Sequence, residues 1–139
     1  MQVFLERLDT AAVQAIYPGL DARWDARAAA LNQRLRDAGL PVQVANLQSV
    51  WTVFYTAPSR YNWMLQFYLR SHGLALSWVG TGRLIFSLNY SDADFEAVAQ
   101  RFVAAAQQMQ IDGWWWQAAG LSDKAIKRSL LWEMVAHRF

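Results

Sequence analysis

The chain has 139 residues, the length of one compact domain, with 13 basic and 11 acidic side chains and a net charge of +2. It has no cysteine, which excludes disulfides, thiolate metal sites and cysteine nucleophiles and fits a reducing, cytoplasmic setting. The charge is too mild to point to nucleic acid, no apolar run nears the roughly 18 residues that span a bilayer, and no signal-peptide layout opens the chain, so neither nucleic acid nor membrane is expected as a partner.

Asp9 and Thr10 before Ala11-Ala12-Val13 read as a helix start, stopped by Pro18-Gly19. Leu20, Trp24, Ala28, Leu31 and Leu35 then recur at helical spacing, with Arg23, Arg27, Arg34 and Arg36 mostly on other faces. Gly39 ends this helix, and Pro41 follows where it cannot continue. Val42–Gln48 and Val50–Thr56 read as strands, with the turn within Asn46–Ser49. The second is β-branched or aromatic on both faces, which predicts a central, buried strand.

Arg60–His72 returns to helical spacing, with Met64, Phe67, Tyr68 and Ser71 near one face and Gly73 closing it. Leu74–Trp78 is a short extended piece, Gly80-Thr81-Gly82 a turn, and Arg83–Leu88 a strand. A phosphate loop would need a third glycine, a Lys-Ser/Thr pair and a following helix, and none is present. Ser91 with Asp94 three residues on is a capping box, opening a helix whose stripe is Phe95, Val98, Phe102, Ala106 and Met109. Asp112-Gly113 ends it. After Trp114-Trp115-Trp116, Ser122-Asp123 caps a last helix through Leu130, Trp132 and Val135. The sum is an α+β domain, a small antiparallel or mixed sheet of about four strands covered by helices.

His72 and His137, the only histidines, lie far apart and form no His/Asp/Glu cluster of ligand spacing, so neither a metal site nor a Ser-His-acid triad is expected. The only lysines, Lys124 and Lys127, fall on the polar part of the last helix, away from the desolvated pocket a Schiff base needs. Arg83 stands out because it begins an apolar strand directly after Gly82. Its guanidinium could hold a carboxylate in a two-pronged grip, or could pair at the sheet edge with Asp92 or Asp94. Three consecutive indoles, Trp114 to Trp116, cannot all face one core. They read as an anchor between domains or subunits, since no basic stripe accompanies them for stacking on bases.

Ala28 to Val44, a long helix running into Gly39-Leu40-Pro41-Val42, resembles the opening of the C-terminal domain of class III PLP-dependent aminotransferases. Ser49-Val50-Trp51-Thr52-Val53-Phe54-Tyr55-Thr56 is similar to the strand Ser-x-Phe-Thr-x-Phe-Phe-Thr of the glutamate-1-semialdehyde aminomutase branch. Gly73-Leu74-Ala75-Leu76 and the stretch Arg83 to Phe95 continue the resemblance, which covers roughly residues 20 to 112 and leaves 114–139 without a counterpart. It implies a small domain over residues 1–113 followed by a tryptophan-rich segment and helix over 114–139. It also implies an absent N-terminal domain that binds PLP, with no cofactor on this chain alone, and a homodimeric parent acting on a small amino acid or amine. In this picture the chain closes over the substrate and is inactive by itself. Arg83 falls where other branches bind the substrate carboxylate, with Gly82 and Trp78 beside it. Gly82 stands where the aminomutases have glutamate, a departure that speaks against aminomutase chemistry. The alternative is a non-catalytic interaction module on the same fold, using its tryptophans as the contact surface.

Overall fold

The apolar stripe of the long first helix is one wall of the core. A computed structural model describes residues 6–76, 83–115 and 120–137. Its elements are α1 (Ala11–Gln14), α2 (Leu20–Asp37), β1 (Val42–Leu47), β2 (Val50–Tyr55), a 3-10 turn (Asn62–Met64), α3 (Leu65–Ser71), β3 (Arg83–Ile85), α4 (Asp92–Ile111) and α5 (Asp123–Ala136). Helix α2 buries Leu20, Trp24, Ala28, Leu31 and Leu35, packing on β1 and α4, while α3 packs on α4. The capping box is present: Ser91 Oγ accepts from the Asp94 N–H at 3.2 Å, and Asp94 Oδ2 accepts from the Ser91 N–H at 3.0 Å.

Helix α4 ends in a left-handed glycine, Gly113 at φ +81°. The Gly113 N–H donates to Gln110 O at 3.0 Å and the Trp114 N–H to Met109 O at 3.3 Å. This paired arrangement satisfies the last helical carbonyls and throws the following apolar side chain back on the helix. Gly39 ends α2 in the same way, sending Leu40 into the core.

The sheet is antiparallel in the order β1-β2-β3, with Leu47 opposite Val50 and Val50 opposite Ile85. Gln48 and Ser49 form the β1–β2 turn, with Gln48 left-handed at φ 51°. Period-two alternation sends Val42, Val44, Trp51 and Leu84 inward. There Trp51, Trp24, Phe86 and Phe95 form an aromatic cluster with ring centroids 5.2–6.3 Å apart.

Several expectations are corrected. Three strands are present among the described residues, not four, because Leu74–Leu76 carries no ladder; residues 77–82 lie outside the described set. Strand β2 is central, but only its inner face is covered. The third helix is set by Leu65 and Leu69, with Met64 and Tyr68 half-buried and Phe67 and Ser71 turned out. Arg27 is also inside, at 8% exposure, rather than on an outer face. Its guanidinium lies 4.7 Å from the Trp24 ring centroid and 5.3 Å from that of Phe95. Nη2 donates to Tyr90 O at 3.0 Å and to Asp92 Oδ1 at 2.8 Å. Ring faces and a carboxylate at the start of α4 together offset the cost of burying this charge.

The outer edge of β1 is capped at Val44 by a side chain. Asn32 on α2 donates from Nδ2 to Val44 O at 2.8 Å and accepts the Val44 N–H on Oδ1 at 2.8 Å, as a neighbouring strand would. Replacing Asn32 with alanine leaves both groups of a buried residue unpaired and is expected to cost about 1–3 kcal/mol, read from the urea midpoint. An unchanged midpoint would show that water replaces the amide freely.

Candidate functional site

The side chains that β2 directs away from the core define the most unusual surface of the molecule. Leu47, Val50 and Ile85 form a row across all three strands, with 80%, 42% and 69% of their surface exposed, and Phe54 lies further along at 41%. An antiparallel sheet with one solvated face ordinarily places polar side chains on that face. Here helices cover one face only, and large apolar side chains stand in the open on the other.

Arg83 lies on this same face. The register sets it beside Thr52, which faces Ala45 across β1–β2. With Asn46, Leu47, Val50 and Trp51 these residues line a shallow recess of about 430 Å³. Neither proposed edge partner is on Arg83. Asp92 is held by Arg27, whose hydrogen bond and charge keep its carboxyl below the usual carboxylate range. Asp94 is taken up by the Ser91 hydroxyl and N–H, with the same direction of shift. The guanidinium is exposed at the start of β3, and no described residue forms a salt bridge with it. Gly82 and Trp78, the other two residues expected at this site, lie outside the described residues.

Two of the three consecutive tryptophans are fixed locally. Trp114 is turned back by the α4 cap on to Tyr61, with centroids 4.9 Å apart, and its carbonyl accepts from Ser59 Oγ at 3.2 Å. Trp115 donates from Nε1 to Asn62 Oδ1 at 3.0 Å and lies 6.4 Å from Tyr55, whose hydroxyl pKa burial pushes up to about 12. Both are half-buried against the core, and Trp116 is outside the described residues. The cap glycine was the sequence signal for this placement of Trp114.

Lys124 and Lys127 are exposed on α5, so neither has the apolar enclosure that covalent attachment of an aldehyde cofactor calls for. Among the described residues no group of three or more His, Asp or Glu could hold a metal ion, and no helix is long and apolar enough to cross a membrane. His72 contacts the Tyr68 carbonyl through Nδ1 at 2.8 Å, a local helix-end contact.

No family model matches the chain, and no curated protein matches it significantly. Solved structures do. An omega-transaminase from Sphaerobacter thermophilus aligns at TM-score 0.57 and 19% identity over 69% of this chain and 25% of its own. A transaminase with PLP bound aligns at 0.60 and 20% over 77% of this chain and 26% of its own. A β-phenylalanine aminotransferase from Variovorax paradoxus aligns at 0.50 and 23% over 68% and 24%. The chain therefore spans about a quarter of the length of these proteins, and at such identity the likeness is one of fold: it is folded as one part of a transaminase is folded.

Proposed function

We propose that this chain is the small C-terminal domain of a class III PLP-dependent aminotransferase, nearest the glutamate-1-semialdehyde aminomutase branch in sequence pattern, and that its open sheet face is turned toward an absent N-terminal domain. The observation that carries the reading is that face: an exposed apolar row that includes the central strand, with an exposed arginine beside it that no described residue holds in a salt bridge. The fold likeness supports it, since the matched proteins are about three times as long and one of them holds PLP.

In this reading residues 1–113 form the small domain and 114–139 an added tryptophan-rich segment and helix. The absent domain supplies the PLP lysine, because Lys124 and Lys127 are solvated. The parent is a cytoplasmic homodimer acting on a small amino acid or amine. This chain closes over the substrate, does no chemistry alone, and binds the substrate carboxylate through Arg83, with Gly82 and Trp78 forming the adjoining turn. Glycine at position 82 favours a transaminase over an aminomutase. The competing reading, a free-standing interaction module using its tryptophans, loses support from Trp114 and Trp115, which are spent on the chain's own core.

The chain lacks cysteine, so single probes can be placed at will. With Ile85→Cys, a maleimide should label position 85 rapidly in the isolated chain and many-fold more slowly in the parent protein. An outward position elsewhere, such as Gln33, should label equally in both. Equal labelling of position 85 in the two contexts would refute a domain contact across the sheet.

A further inference from the structure

Helix α5 contributes nothing to the core. None of its residues is buried, and Leu131, Trp132, Met134 and Val135 are exposed. Its start is fixed locally, by Ser122 Oγ accepting from the Ala125 N–H at 3.2 Å. Among the described residues a single polar contact ties it to the rest of the molecule. Arg60 donates from Nη1 to Glu133 Oε1 at 2.9 Å and from Nη2 to Oε2 at 2.8 Å.

Both halves of this fork are prepared for each other. On the helix, Ser129 Oγ donates to Glu133 Oε1 at 3.1 Å from one turn earlier, which steadies the carboxylate. On the body, the Arg60 guanidinium lies 5.7 Å from the ring centroid of Tyr61, and Tyr61 itself rests against Trp114. The fork is geometrically good, yet 36% of Arg60 and 44% of Glu133 remain in contact with solvent.

We propose that α5 is a releasable arm and that the Arg60–Glu133 pair is its latch, engaged at low ionic strength and opened by salt. A pair this exposed favours its closed form by only about two- to five-fold. Salt shortens the reach of its attraction from about 10 Å at 0.1 M to about 3 Å at 1 M. No buried apolar contact on α5 replaces it. A released helix of 14 residues loses the support that keeps it helical, so opening also loosens α5 itself.

Hydrogen exchange resolved by peptide is the test, run on the chain at about 20 mM and about 1 M sodium chloride. Amides of 126–136 should exchange about two- to five-fold faster at high salt, while those of α2 and α4 stay unchanged. Glu133→Gln should give the fast rate already at low salt and abolish the salt response. Combining Arg60→Glu with Glu133→Arg should restore both slow exchange and its salt dependence. If Glu133→Gln leaves α5 exchange and its salt response as they were, or if the exchanged pair behaves no better than the single variants, the latch is refuted. A salt effect of equal size on α2 and α4 would also refute it, since the whole fold would then be responding.

Discussion

Replacing Trp51 with alanine is expected to destabilise the fold by about 3–5 kcal/mol, enough to leave a domain of ordinary stability barely folded. Trp51 has no solvent exposure, is the second residue of the central strand, and meets Trp24, Phe86 and Phe95 at 5.2–6.1 Å. Its Nε1 also donates to Gln48 O at 2.9 Å, which steadies the left-handed turn between β1 and β2. The substitution thus opens a cavity no neighbour can fill and removes the brace of a strained turn. Trp63, 57% exposed against Phe67, serves as control, with an expected change within about 0.5 kcal/mol. Urea unfolding of both variants gives the comparison. Equal shifts would mean that packing in the aromatic cluster does not carry the expected loss.

In the parent enzyme, Arg83→Ala is expected to lower kcat/KM for a carboxylate-bearing amino donor by roughly 30- to 1,000-fold. This corresponds to about 2–4 kcal/mol for a two-pronged guanidinium–carboxylate contact in a desolvated site. Lysine should recover only part of the loss, because an ammonium cannot form the fork. Activity toward an amine without a carboxylate should be nearly spared, and so should stability, since Arg83 is exposed and no described residue forms a salt bridge with it. A variant that loses both donors equally would remove Arg83 from substrate binding.

The readings that succeeded from sequence rest on short-range physics. The α2 stripe, the Ser91–Asp94 box and the glycine at the end of α4 involve residues within a few positions of one another, so spacing alone carries them. The failures all involve distant partners. Arg27 reads as one of four arginines mostly off the apolar face of α2, and Tyr90 and Asp92, 63 and 65 residues away, with the ring of Phe95, turn it inward. That same pairing removes Asp92 as a neighbour for Arg83. Strand β2 reads as buried on both sides because Val50 and Phe54 are as apolar as a covered strand requires. The pattern is explained by the proposed domain contact, which this chain by itself does not supply. The orientation of α3 was ambiguous because apolar residues at 64, 65, 67, 68 and 69 surround it, and contact with α4 selects Leu65 and Leu69.

The Asn32 amide on Val44 also bears on how copies of this chain can meet. Sheets polymerise edge to edge when each subunit offers two open edges, one to receive a strand and one to pass the pattern on. With the N–H and C=O of Val44 taken up by a side chain from its own helix, β1 offers less open backbone to a second copy, while the far side of β3 has no described strand against it. Backbone pairing between copies is then easier through β3 than through β1. By occupying those two groups, a single asparagine shortens the run of open backbone on which a fibre could grow from this side of the sheet.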